Sequence, residues 1–149
     1  MTKTRSTGAR TRARELLVQA LYQKQLAGHV CAELLEQFHA QAAYERVDKD
    51  FFDEALPAIC ETQAELEAKI GELIDRPLDQ LDPVELSVLL IGVYELGARI
   101  DVPYRVVINE GVNLAKRFGA LDGYKYINAC LDLAAQTLRH AEVQAQGSG

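Results

Sequence analysis

The stretch that most constrains the fold runs from Asp82 to Ala98, DPVELSVLLIGVYELGA. It opens as a helix start. Asp82 is placed to cap, Pro83 suits the first helical position, where its missing N–H costs nothing, and Glu85 is placed to reach back to the cap. From Val84 to Ala98 the helix is apolar on nearly every side, so it needs neighbours all round. No apolar run in the chain approaches the ~18 residues needed to cross a bilayer. Those neighbours must therefore be other parts of a folded domain, and the expected helix is the centre of a helical bundle.

The remaining spacing supplies them. Ala13, Leu16, Leu17, Ala20 and Leu21 form one helical stripe, predicting a first helix from near Gly8 to Ala27 with Gly28 as its stop. A second helix is expected over 32–43, with Leu34, Leu35, Phe38 and Ala42 inward. A third is expected over about 50–74, broken or kinked near Ala55–Leu56 by Pro57. After the central helix, a fifth follows Pro103 and ends at Gly119, and a sixth runs from near Asp122 to about His140. Strand-like alternation is scarce. The expected fold is all-α, a single compact bundle of about six to seven helices over residues 13–143. A basic, flexible arm is expected over 1–12 and a disordered Gln/Gly/Ser-rich tail over 144–149. The closing Gly147-Ser148-Gly149 has the composition of an appended linker.

The formal net charge of −6 conceals an asymmetry. Residues 1–14 carry Lys3, Arg5, Arg10, Arg12 and Arg14 and no acid, whereas the remainder holds 11 bases against 22 acids. Residues 45–75 alone hold ten acids and three bases, which read as a solvated face. Such a chain binds polyanions poorly overall but is able to hold one locally, at its start. The basic start lacks the apolar run of a signal peptide, since Gln19 and Lys24 interrupt it, so the expected location is cytoplasmic. Cys31, Cys60 and Cys130 are odd in number and widely spaced. They read as separate small core residues in a reducing compartment, with neither a disulfide nor a metal site expected.

Enzyme chemistry finds no support. Serine occurs only at Ser6, Ser87 and Ser148, and there is no Gly-rich phosphate loop and no CxxC. Glu36 and His39 have the Glu-x-x-His spacing of carboxylate-bridged metal bundles, but that chemistry needs a second such pair, and His29 and His140 have no acid three residues upstream. No catalytic residue, metal or cofactor is expected. Nucleic acid fits better. Arg10, Arg12 and Arg14 are able to neutralise phosphates, although a merely solvated basic tail explains them equally well. Phe118 and Tyr126 are placed to border the corner between the last two expected helices, with Lys116, Arg117 and Lys125 near by, and aromatic faces are what single-stranded RNA needs for stacking. Phe118 reads more readily as core, while Tyr126 lies off the inward stripe of Ile127 and Cys130. Asn109, Glu110 and Asn128 read as buried hydrogen-bonding ties between helices.

Residues 101–131, DVPYRVVINEGVNLAKRFGALDGYKYINACL, hold a distinctive series: a Pro-Tyr-basic opening, Asn-Glu, Ala-Lys, Phe-Gly, an acidic link and an aromatic/apolar-Asn step. This series resembles the C-terminal half of the NusB family of bacterial transcription antitermination factors. ARTRARELLVQALYQKQL (9–26) resembles that family's Arg-rich start and Gln-Ala-Leu-Tyr signature, and LDPVELSVLLIGVYEL (81–96) resembles its central helix. The three blocks follow the family's order.

The resemblance implies a non-enzymatic factor. It would bind boxA RNA in ribosomal RNA transcripts together with the ribosomal protein NusE, and then act within an RNA polymerase antitermination complex. It assigns the N-terminal arginines, Asp122 and Tyr126 to boxA; the family's Phe is Tyr here. Glu85 is assigned to NusE by the same resemblance, although as a residue it already suffices as a helix cap. Gln19 and Tyr22, within the Gln-Ala-Leu-Tyr signature, are candidate liners of the RNA path, with packing between helices the plainer role for Tyr22. Members occur as monomers and dimers, so a homodimer stays open. Two alternatives remain: the NusB-like module of an RNA cytosine methyltransferase, and a helical interaction scaffold with no RNA role.

Overall fold

The computed structural model describes residues 2–148, with side chains from 8 to 146. Regular structure among them is helical throughout, as expected. The helices are α1 (Thr2–Ala27), α2 (Cys31–His39), α3 (Lys49–Glu61), α4 (Gln63–Leu73), α5 (Pro83–Ala98), α6 (Tyr104–Phe118), α7 (Gly123–Leu138) and α8 (His140–Ser148), with short 3-10 turns at Ala42–Arg46 and Leu78–Gln80. The chain divides into two compact units, Met1–Thr62 and Gln63–Gly149.

In the first unit, α1 buries the whole predicted stripe of Ala13, Leu16, Leu17, Ala20 and Leu21. It begins at Thr2, ahead of the expected Gly8. It stops at Gly28, whose φ of 69° is a left-handed conformation that a side chain would strain, and whose N–H closes on Lys24 O at 2.9 Å. α2 ends at His39, short of the expected 43, so Ala42 is exposed in a 3-10 turn and Leu35 is only partly covered. Asp48 starts α3 by accepting a hydrogen bond from Phe51 N at 3.1 Å.

Pro57 does not break α3, contrary to expectation: the helix runs on to Glu61. Phe51, Phe52, Ala55 and Leu56 before the proline and Ile59 after it are all buried. That continuous packed face offsets the one ladder bond that the proline cannot donate. The break comes at Thr62, whose hydroxyl and N–H both bond Ala58 O, at 2.8 and 3.1 Å, drawing off the backbone acceptor at the end of α3.

The cysteine expectation is also corrected. Cys31 at the start of α2 and Cys60 at the end of α3 are joined as a disulfide, with Cα atoms 6.3 Å apart. The helices pack against each other with these ends adjacent, and a separation of 29 residues hid that meeting from spacing rules. Cys130 alone is the buried thiol anticipated.

In the second unit, α5 is the centre, packed by α4, α6 and α7. Ser87 through Leu96 are buried without interruption, which is the all-round apolar pattern realised. Its cap forms as read from sequence: Asp82 Oδ1 accepts from Glu85 N at 2.7 Å, and Glu85 Oε1 accepts from Asp82 N at 3.4 Å. Leu131 of α7 sits between two glycines, one on each neighbour. A Cβ built on Gly92 of α5 would lie 2.6 Å from one Leu131 methyl, and one on Gly111 of α6 would lie 2.6 Å from the other.

α8 covers part of the segment expected as tail, and its start ties α5 and α6 together. The buried guanidinium of Arg139, between α7 and α8, donates to Leu96 O (2.7 Å), Glu95 O (3.1 Å) and Arg99 O (2.8 Å), carbonyls at the C-terminal end of α5. It also donates to Glu142 Oε1 at 2.7 Å, and Glu142 Oε2 accepts from Tyr104 N at 3.0 Å, at the start of α6. That backbone bond is the main cause holding the Glu142 carboxyl below its usual range.

Candidate nucleic-acid interface

The predicted site residues fall on both units. In the first, the three arginines of α1 part company. Arg10 is half-buried: its Nε meets Asp48 Oδ2 at 3.2 Å and its guanidinium lies 4.8 Å from the Phe51 ring centre. Arg14 is buried, its guanidinium 5.1 Å from the same ring. Only Arg12 is exposed. The sequence, where all three read alike, gave no signal that Phe51 and Asp48 of α3 would claim two of them. The N–H of Asp48 also bonds Ala9 O at 2.9 Å, so this end of α1 is fastened to α3. Gln19 and Tyr22 are exposed, Tyr22 to 39%, so Tyr22 is not the packing residue of its plainer reading. The Glu36–His39 spacing leads elsewhere: His39 Nε2 pairs with Asp53 Oδ1 at 2.7 Å, and the Tyr44 hydroxyl donates to Asp53 Oδ2 at 2.8 Å. Among the described residues no group of three or more His, Cys, Asp or Glu is arranged to hold a metal ion.

In the second unit, the end of α6 and the start of α7 bring Phe118, Asp122, Lys125 and Tyr126 into one short stretch. Asp122 has a left-handed backbone, φ 67°, which turns the chain sharply into α7 at Gly123. Lys125 Nζ lies 3.6 Å from Asp122 Oδ1, and both side chains are exposed. Phe118 is half-buried with the Arg117 guanidinium 5.3 Å from its ring, so it is not the core residue that its sequence favoured. Tyr126 is half-buried. Its neighbours on the inward stripe, Ile127, Cys130, Leu131 and Ala134, are buried as predicted.

Three further residues that sequence reasoning missed join them: Arg76, Asp75 and Tyr124, whose ring meets the Lys116 already expected near this corner. Arg76, from the link after α4, places its guanidinium 4.4 Å from the Tyr126 ring centre. Asp75 accepts from both partners, from Arg76 Nε at 3.2 Å and from the Tyr126 hydroxyl at 3.3 Å. Lys116 lies 4.7 Å from the ring of Tyr124. Contacts that span about fifty residues leave no local trace in the sequence, and Arg76 was obscured by the acidic stretch before it. The Arg76 hydrogen bond is the main cause lowering the Asp75 carboxyl from its usual value. Burial is the main cause pushing the Tyr126 phenol up to about 12, so its hydroxyl remains a donor at neutral pH. The arrangement is a set of aromatic rings each flanked by a cation, chemistry suited to stacking unpaired bases beside phosphates. Glu85 lies at the same end of the unit: a Cβ on Gly123 would sit 3.7 Å from Glu85 Oε2.

Asn109 and Asn128 are exposed, so they are not the buried ties expected of them. That helix-to-helix role belongs instead to Arg139 and Glu142.

Residues 11–136 match the NusB family. A transcription antitermination protein NusB from Paraburkholderia phymatum is 47% identical over 137 residues, covering 92% of this chain and 94% of the relative. One from Pseudomonas syringae pv. tomato is 43% identical over 136 residues, covering 91% and 82%. The solved structure of NusB from T. maritima superposes with a TM-score of 0.76 at 26% identity, covering 85% of this chain and 90% of that one. The chain belongs to the NusB family.

Proposed function

We propose that this protein is a transcription antitermination factor that binds boxA RNA of ribosomal RNA operons together with NusE and acts on elongating RNA polymerase in the cytoplasm. The observation that carries this reading is the near full-length similarity to relatives named for antitermination. The cation-flanked rings at the start of α7 agree with it. Tyr126 is the proposed stacking residue, with Phe118 beside the same turn and Lys125 and Asp122 bordering it. On α1, exposed Arg12 is the proposed phosphate contact and half-exposed Arg10 a second. Arg14 takes part through Phe51, whose ring it covers. Gln19 and Tyr22 are proposed to line the RNA path on the exposed side of α1. Glu85, already fixed by its cap, is the proposed contact to NusE. No catalytic role is proposed for any residue.

The test is a fluorescence-anisotropy titration of single-stranded boxA RNA against the full chain, alone and with NusE. The expected result is binding that tightens when NusE is added. RNA affinity unchanged by NusE would remove the partner from the proposal, and no binding in either arm would remove the function.

A further inference from the structure

We infer that Arg76 is an additional RNA-contact residue, which packs over one face of the Tyr126 ring and meets the phosphate of the nucleotide stacked on the other face. The inference rests on the reading of Tyr126 as a stacking residue and extends it. The second unit is acidic, with thirteen Asp and Glu against eight Lys and Arg over residues 63–149. A polyanion approaching a ring there must find cations close to it. Arg76 supplies one at 4.4 Å from the ring centre, closer than any other cation–ring pair described.

Its geometry suits the task. The link after α4 is not helical at Arg76, so the side chain reaches α7 from a separate element. Asp75 takes Nε at 3.2 Å and also holds the Tyr126 hydroxyl, which fixes guanidinium and ring relative to each other. The guanidinium carries four further N–H donors in a planar fork, the geometry that matches phosphate oxygens. The side chain retains 39% of its exposure. In a single strand each base carries its own phosphate, so a cation packed over one face of the ring stands within reach of the phosphate of a base stacked on the other.

The experiment titrates the full chain with fluorescent single-stranded boxA RNA across a range of salt concentrations, alongside Arg76→Gln, Arg76→Lys and Tyr126→Ala. Arg76→Gln is expected to flatten the log–log salt slope by about 0.7, the loss of one single-strand phosphate contact. It should weaken binding about two- to fivefold at low salt, the scale of an exposed ion pair. Arg76→Lys should restore the slope, because it keeps the charge; a purely structural role would not respond in this way. Affinities are taken per folded molecule from parallel circular-dichroism melts. If Tyr126→Ala weakens binding while Arg76→Gln leaves slope and affinity unchanged, the Arg76 assignment is overturned and the stacking surface stands. If the unmutated chain does not bind, or Tyr126→Ala binds as well as it does, the stacking reading has failed and the assignment falls with it.

Discussion

Arg12 and Arg14 lie two positions apart on α1, yet one is exposed and the other buried. The Asp82–Glu85 cap and the Gly28 stop depend on four or five consecutive residues and formed as read. Arg14 shows the limit: identical in type to Arg12 and two positions away, it faces inward because a helix turns about 100° per residue and α3 holds a ring there. The two should therefore respond differently. Arg12→Gln should flatten the salt slope of RNA binding by about 0.7 with little change in melting temperature. Arg14→Gln should instead lower the melting temperature, as a buried cation is lost from a ring face. Equal effects on slope, measured side by side, would contradict this division. Tyr126→Ala should weaken boxA binding about tenfold, within the ~1–3 kcal/mol of a base–aromatic stack. Tyr126→Phe should lose less, since only the exposed bond to Asp75 disappears. The reverse order in anisotropy titrations would mean that the hydroxyl, not the ring, carries recognition.

At the scale of elements, helix type was read correctly, as were the ends marked by Gly28, Asp82, Pro103 and Gly119, but the end of α2 and the break after α3 were not. The third expected helix is two helices, because its break depends on a threonine hydroxyl rather than on the proline that stands out in sequence. The pairing of Cys31 with Cys60 follows from how α2 packs on α3, which spacing does not reveal. In the chain-entropy picture, closing a loop of 29 residues stabilises the first unit by about 3–4 kcal/mol. Excess reductant should therefore lower the melting temperature of the oxidised protein, and Cys60→Ser should remove the response to reductant. An unshifted melt after confirmed reduction would deny the bond a stabilising role. α8 offers a second check. Glu142 has a lower proton affinity in the fold than when unfolded, so its contribution is fully present above its ordinary pKa of 4.5 and is lost as pH falls through the lower folded value. Stability measured by urea unfolding should fall across that acid window, and Glu142→Gln should shrink the fall.

For the molecule as a whole, the all-helical class and the identity of the central helix were both evident in one apolar run, because burying it leaves few architectures. The division into two units was not evident, since each contributes the same helical periodicity. Charge distribution bears on function at this scale. With a net charge of −6, the chain as a whole repels RNA, and its binding must rest on a few local cations. If three to five phosphates are engaged in all, the single-strand salt slope should be roughly −2 to −3.5. A slope near zero would separate binding from phosphate altogether. Deleting residues 1–12 is a poor way to probe this, because it also removes the Ala9 and Arg10 bonds to Asp48.

The placement of Leu131 between Gly92 and Gly111 makes three distant positions heritable only as a set. A methyl group added to either glycine drives the leucine toward the other, so the side chain has nowhere to yield. Gly92→Ala and Gly111→Ala should each destabilise the protein by about 1–3 kcal/mol, as overpacked cores do. Combined with Leu131→Ala, either should cost far less than the sum of its parts. Strict additivity in urea unfolding would show that the three helices slide apart freely. Otherwise a lineage drifting at any one of these sites must cross a valley of instability, unless a second substitution is already in place.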